Sequence, residues 1–184
     1  RVSRSDPTAT GENCKMEIVR CWESNDPAYN AYHDEEWGRP VVDERGLYER
    51  FCLEGFQSGL SWLTILRKRE NFRAAFAQFD PDAVARYTER NVKALLADAG
   101  IVRHRGKIEA TIANAQATVG LRDSAPLKAV VWEYRRDGSA PRAWVAQTPE
   151  YVELSRRLRR GGCRFVCPTT VCAAMVASGI GYDD

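Results

Sequence analysis

Residues 89–118 read ERNVKALLADAGIVRHRGKIEATIANAQAT, and this stretch decides the fold. Apolar side chains recur at helical spacing on both sides of a glycine-flanked turn: Val92, Leu96 and Ala99 before it, Ile108, Ile112 and Ala115 after it. The spacing predicts two helices, over 89–99 and 105–118, joined by Gly100-Ile101-Val102-Arg103-His104-Arg105-Gly106 as a helix-hairpin-helix. Such a turn suits a nucleic-acid phosphate for physical reasons. Gly100 and Gly106 let the backbone come close, the start of the second helix offers unpaired N–H groups, and Ile101 pins the turn to a core. Arg103 and Lys107 add positive charge. Any tight turn between helices can be flanked by glycine, so the pattern alone leaves a purely structural hairpin open. His104, with no second histidine nearby, is expected to face solvent or a phosphate rather than to act in a nucleophile–base pair.

The rest of the chain is punctuated in the same way. Asp26, Asp80 and Thr148 each precede a proline, which is how a capping side chain sits before a first-turn Pro, and three further helix starts follow. Phe72, Phe76 and Phe79 lie at i, i+4 and i+7, and Leu154 and Leu158 are one turn apart. Gly161-Gly162 and Gly179 read as helix stops, and Thr169 or Thr170 as the cap of a last helix. Strand-like alternation is almost absent and no internal repeat is visible, so the fold class is all-α. Residues 120–147, with Pro126, Gly138 and Pro141, read as a long connection or small insertion. Residues 1–15 lack periodicity and read as a disordered extension, leaving 16–184 as a single domain.

Composition narrows the class further. With 44% hydrophobic and 28% charged residues the chain can bury a core, and no apolar run approaches the ~20 residues that span a bilayer. No membrane partner is expected. The polar opening has no apolar signal segment, and the six cysteines lack the spacing of a secreted framework; both point to the cytoplasm. A net charge of +2 is too small to demand a nucleic acid, yet the basic residues cluster: Arg67, Lys68, Arg69 and Arg73; Arg103, Arg105 and Lys107; Arg156, Arg157, Arg159, Arg160 and Arg164. Such clusters can meet phosphates or can be solvated helix faces.

Two segments carry more specific information. Residues 26–38 follow the pattern D-P-x-Y-x-x-Y-H-D-x-E-W-G, and residues 53–62 follow L-E-G-x-Q-x-G-L-S-W. Both closely resemble the 3-methyladenine DNA glycosylase I family, helix-hairpin-helix enzymes of base excision repair. The resemblance extends through Lys68–Arg73, Gln78–Pro81, Gly100–Ile108 and Gly162–Val166, covering roughly residues 17–184. It implies a monofunctional hydrolase that extrudes N3-methyladenine from alkylated duplex DNA and releases the free base, with no organic cofactor, and that works as a monomer.

By that resemblance Glu54 is the carboxylate that hydrogen-bonds the extruded base, and Tyr29, Tyr32, Trp37 and Trp62 wall the pocket and stack on it. The chemistry is coherent, because methylation at N3 makes adenine cationic and weakens its bond to the sugar. A cationic base held among aromatic faces with a carboxylate on its polar edge needs no strong acid catalyst. Leu60, after Gly59 in a turn, is placed to wedge into the gap that the flipped base leaves, although a plain packing role fits it equally. Two rival readings stay open: a glycosylase/lyase in which Lys107 forms a Schiff base assisted by Asp123, and a DNA-binding module without activity.

The family resemblance also implies a structural zinc held by two cysteines and two histidines. Cys21 and His33 match the first pair, although Cys21 directly precedes Trp22 where the family has one more residue between them. The second pair would follow residue 184, so little tightly bound zinc is expected in this chain. Cys163, Cys167 and Cys172 are spaced unlike a zinc knuckle and read as buried structural thiols.

Overall fold

The computed structural model describes residues 24–135 and 148–181, and every regular element among them is a helix, as the all-α reading expects. The extension at 1–15, Cys21, and the Gly138 and Pro141 part of the connection lie outside the described residues. The three proline-led starts are present. In α1 (Pro27–Glu35) the Asp26 carboxylate accepts from the N–H groups of Ala28 and Tyr29. In α4 (Pro81–Val84) Asp80 does the same for Asp82 and Ala83, and in α8 (Pro149–Arg160) the Thr148 hydroxyl accepts from Tyr151. Each cap satisfies helix-end N–H groups and contributes on the order of 1 kcal/mol.

The organising element is α2 (Glu44–Gln57), in which residues 51–56 are buried without a break. A helix buried all round must have neighbours on every side. They are α3 (Trp62–Ala75), α6 (Arg105–Leu121), α7 (Leu127–Trp132) and α9 (Pro168–Ala177). The hairpin is formed by α5 (Glu89–Ala97) and α6, with Ile101 buried in the turn and Ile108, Ile112 and Ala115 facing the core.

Several boundaries differ from the sequence reading. Phe72, Phe76 and Phe79 are all fully buried, but α3 stops at Ala75 and residues 77–79 have φ between +50° and +55°, a left-handed turn. Asp80 must leave helical geometry to precede Pro81, and the Tyr87 hydroxyl donates to the Ala75 carbonyl at 3.1 Å, closing the helix end. Ala99 is exposed and outside α5, because Asp98 accepts from the Gly100 N–H at 2.7 Å; the buried face is Val92 and Leu95, with Leu96 half-buried. The connection after residue 120 is more regular than its prolines suggest: α6 continues to Leu121, and α7 buries Leu127, Val130 and Val131. The N-cap position of the last helix is Cys167 rather than a threonine, without a side-chain capping hydrogen bond, and Pro168 occupies its first turn.

Asn114, buried in the middle of α6, reaches sideways to the segment before α9. Its side chain accepts from the Arg164 N–H at 2.7 Å and donates to the Arg164 carbonyl at 3.2 Å, holding that residue through the peptide groups on either side of it. Asn114→Ala orphans both groups and is expected to cost on the order of 2–3 kcal/mol in urea unfolding; a loss under about 0.5 kcal/mol contradicts the clamp.

Candidate active site

Four segments converge beside the last turn of α2. Tyr29 and Tyr32 lie on α1, whose start is tied to α3 because the second Asp26 oxygen accepts from the Arg67 Nε at 3.0 Å. Trp37 follows α1, its backbone N–H donating to the Tyr32 carbonyl at 2.9 Å. The chain then meets the end of α9, with the Val41 N–H on the Ser178 carbonyl at 3.0 Å. Only glycine fits at position 179, where φ is +62° and a Cβ would stand 2.4 Å from the Gly38 carbonyl oxygen. Trp62 opens α3, directly after the capping Ser61.

Together with Glu54 these side chains line one cavity of about 180 Å³, closed on the α9 side by Ala173, Val176 and Ala177. All five residues singled out for base binding therefore come together. Tyr32 and Trp62 stand 5.2 Å apart, tilted by 43°. The indole N–H of Trp62 is buried with no acceptor in reach among the described residues, an exception to the usual pairing of buried donors. A second cavity of about 260 Å³ shares Glu54 and Gln57 and extends to Gly59, Leu60 and Thr170.

Glu54 is only 6% exposed, and burial pushes its carboxyl up from the ordinary range to about 7, with the charge of Arg50 opposing the rise. A buried carboxyl poised near neutrality between aromatic faces can accept a flat cation and offset its charge.

Leu60 lies where the sequence places it, in the turn between α2 and α3. Gly59 has φ +79°, and the Leu60 side chain is 41% exposed. Sequence reasoning missed its counterpart Phe165, also exposed, held at φ +54° beside Gly55 and edge-on to His104. A non-glycine residue at positive φ is strained, and nothing in the one-dimensional pattern signals it.

The hairpin residues divide. Gly100 and Ala99 offer their carbonyls to Lys68 Nζ at 3.1 and 3.0 Å, fixing the turn to α3. Arg103 is exposed and has no ion-pair partner among the described residues, whereas Arg105 is bound to Glu89 and Glu109. Gly106 lies in the first turn of α6, and His104 is exposed while its Nδ1 caps that helix through the Lys107 N–H.

Lys107 itself is turned inward, a correction to its expected place on phosphate. It is buried, and its Nζ donates to the carbonyls of Phe56 at 2.8 Å and Ser58 at 2.6 Å, where α2 ends and its orphan acceptors need a donor. Asp123 cannot assist it. The two sit at opposite ends of α6, about 24 Å apart at helical rise. Most other clustered cations also serve internal pairs: Arg67 with Asp26, Arg69 with Glu36, Arg73 with Glu49 and Glu70, Arg157 with Glu133, and Arg156 and Arg160 with Glu153.

The described residues do not make a metal site. No group of three or more His, Cys, Asp or Glu side chains that could hold an ion occurs among them. Cys21 lies outside the described residues, and His33 stacks on Trp37 with its Nδ1 3.0 Å from Asp34. Cys163 and Cys172 are buried, and Cys167 is half-buried. No described helix is long and apolar enough to cross a membrane.

A helical body that carries a hairpin beside an aromatic cavity with a buried carboxylate belongs to the helix-hairpin-helix glycosylase class. The sequence profile of the Methyladenine glycosylase family matches residues 22–184, and the chain is a member of that family of DNA-repair hydrolases. It is 44% identical over 176 residues to DNA-3-methyladenine glycosylase 1 of Escherichia coli K12, covering 90% of this chain and 93% of that one. A crystal structure of 3-methyladenine DNA glycosylase I is similar with a TM-score of 0.85 at 42% identity, covering 90% and 95% of the two chains. A variant of such an enzyme in complex with 3-methyladenine gives 0.81 at 32% identity, covering 87% and 89%.

The Glu54 carboxyl binds its proton more tightly in the folded chain than the ordinary value of 4.5 allows when unfolded. The stability it contributes is complete below pH 4.5 and is lost as pH rises through about 7. Glu54→Gln removes this titration. The variant should therefore gain stability over the parent between pH 4.5 and 8, by on the order of 3 kcal/mol, in urea unfolding at stepped pH; a constant difference across that range contradicts the raised carboxyl.

Proposed function

We propose that this chain excises N3-methyladenine from alkylated duplex DNA by extruding the nucleotide into the cavity around Glu54 and letting water take the sugar. The observation that carries this reading is the buried Glu54 carboxyl among Tyr29, Tyr32, Trp37 and Trp62. An N3-methylated adenine arrives as a cation, so it draws the Glu54 proton equilibrium toward carboxylate and is attracted to the aromatic faces. The unpaired indole N–H of Trp62 is available to an acceptor on the base. The base leaves neutral without needing a proton at the bond that breaks, so the protein's part is selection, extrusion and orientation.

Duplex DNA is proposed to lie across the turns. Leu60 and Phe165 are two exposed apolar tips, one on the α2–α3 turn and one beside the hairpin, and each suits the space left by an extruded base. Exposed Arg103 and Arg164, with the backbone at Gly100 and Gly106, are placed for phosphates, and Ile101 anchors the turn. The reading is monofunctional and needs no cofactor in the reaction. It takes the chain to work as a monomer in the cytoplasm and residues 16–184 as one domain.

Base release from duplex DNA carrying N3-methyladenine tests the proposal. Single-turnover release should fall at least about tenfold in Glu54→Gln while duplex affinity changes less than about threefold. Equal losses in both remove Glu54 from the reaction. Borohydride should trap no protein–DNA adduct, and an adduct at Lys107 would establish the lyase instead. Lys107→Ala should destabilise the fold and leave the salt slope of duplex binding unchanged, since its ammonium is committed to carbonyls.

A further inference from the structure

Apart from the base cavity, a smaller cavity of about 90 Å³ is lined mainly by charged side chains. Three arginines and two glutamates face it: Arg50, Arg69, Arg73, Glu36 and Glu49. Glu36 holds Arg69 through two hydrogen bonds, and Glu49 holds Arg73 at 2.8 Å. Arg50 is the cation left over. It has no carboxylate partner among the described residues, and its Nη1 donates instead to the Tyr32 hydroxyl at 2.8 Å, with the guanidinium carbon 5.5 Å from the ring centroid.

Arg50 stands one helical turn before Glu54 on α2, the spacing at which side chains are neighbours. From this placement we infer that Arg50 is a positioning residue of the base site, fixing the Tyr32 ring from behind and supplying the countercharge that lets the buried Glu54 ionise. The inference rests on the proposed role of Glu54. Tyr32 is only 3% exposed and its hydroxyl does not ionise, since burial holds it well above the ordinary tyrosine range. It is therefore a neutral spacer between the guanidinium and the base cavity.

The other groups around Glu54 are already committed. On α1 and its end, Tyr29 and Tyr32 are phenols and Glu36 is neutralised by Arg69 of α3. From α6, Lys107 is spent on the α2 carbonyls, and α9 lines the base cavity with Ala173, Val176 and Ala177. Among the described residues, Arg50 is the group whose charge moves the Glu54 carboxyl down, against burial. Placing it behind a tyrosine, outside the cavity, lets it act on the carboxylate without meeting the cationic base directly.

The test is the pH profile of single-turnover base release from N3-methyladenine DNA in the parent, Arg50→Met and Arg50→Lys. The parent should show an acid limb with a midpoint near 7. Arg50→Met should move that midpoint up by roughly one pH unit, and Arg50→Lys should return it most of the way, because the charge is restored even where the hydrogen-bond geometry is not. A rate that falls by the same factor at every pH in Arg50→Met, with the midpoint unmoved, overturns the countercharge and leaves only packing. A parent with no limb at all defeats the role of Glu54 before Arg50 is in question. Urea unfolding of each variant at the assay pH confirms that folded protein is compared.

Discussion

The structure depends on one arrangement: an ionisable carboxyl, Glu54, carried on a helix that is enclosed on every side. Burying a charge without a partner costs several kcal/mol, and the usual escape is to keep the proton. Glu54 takes that escape only halfway, since its carboxyl sits near 7 rather than far above it. Every neighbouring element is arranged around that compromise. Tyr32 and Trp62 exclude water from one side, small residues of α9 close another, and Arg50 supplies a positive field from behind the ring. Under the proposed function, a cationic base would complete that balance, and the cost of burying Glu54 would favour a charged base over a neutral one.

The cations show the opposite economy of placement. In sequence they form three clusters of the kind that phosphates attract, but in space most are internal struts. Arg67 fastens the start of α1 to α3, Lys68 fastens the hairpin turn to α3, and Lys107 closes the end of α2 just before the Gly59-Leu60 turn. The charge left facing outward near the hairpin is chiefly Arg103 and Arg164. Rigid support for the turns thus comes from side chains that the charge pattern alone assigns to DNA. A weak net charge is consistent with this, because attraction to a duplex then depends on a few placed groups and on backbone N–H donors rather than on a broad basic field.

Much of the fold was legible in the sequence because its signals are local. A capping side chain before a first-turn proline acts within three residues, and Asp26, Asp80 and Thr148 all cap as read. The apolar face of α6 and the pinning role of Ile101 follow from periodicity. That Glu54, Tyr29, Tyr32, Trp37 and Trp62 line one cavity was legible through long motifs, which carry tertiary information that composition does not. What escaped depends on contacts distant in sequence. The left-handed turn at 77–79 is set by the following Pro81 and by Tyr87, the short α7 exists because it packs on α2, and the inward turn of Lys107 requires the end of a helix 51 residues away. Phe165 and Asn114 belong to the same kind. Neither residue type announces a strained, clamped loop until α2 and α6 are brought together around it.

That loop explains why the two apolar tips can be held without a large interface of their own. Leu60 projects from a turn fixed by the Gly59 conformation and by Lys107 on the preceding carbonyls. Phe165 directly follows Arg164, whose N–H and carbonyl are both held by Asn114, with Gly55 leaving room behind the ring. Gly55 adjoins Glu54, so the residue that makes space for the exposed ring sits next to the buried carboxyl. A Cβ at Gly55 would press on the Phe165 Cβ at 3.3 Å, and any yielding would pass to the loop rather than to the enclosed α2 backbone. The surface that would meet a duplex and the carboxyl that would meet the base are therefore tied to the same central helix. Rigid placement of both on one element is what extrusion requires, because the gap in the duplex and the position of the extruded base are then fixed relative to each other.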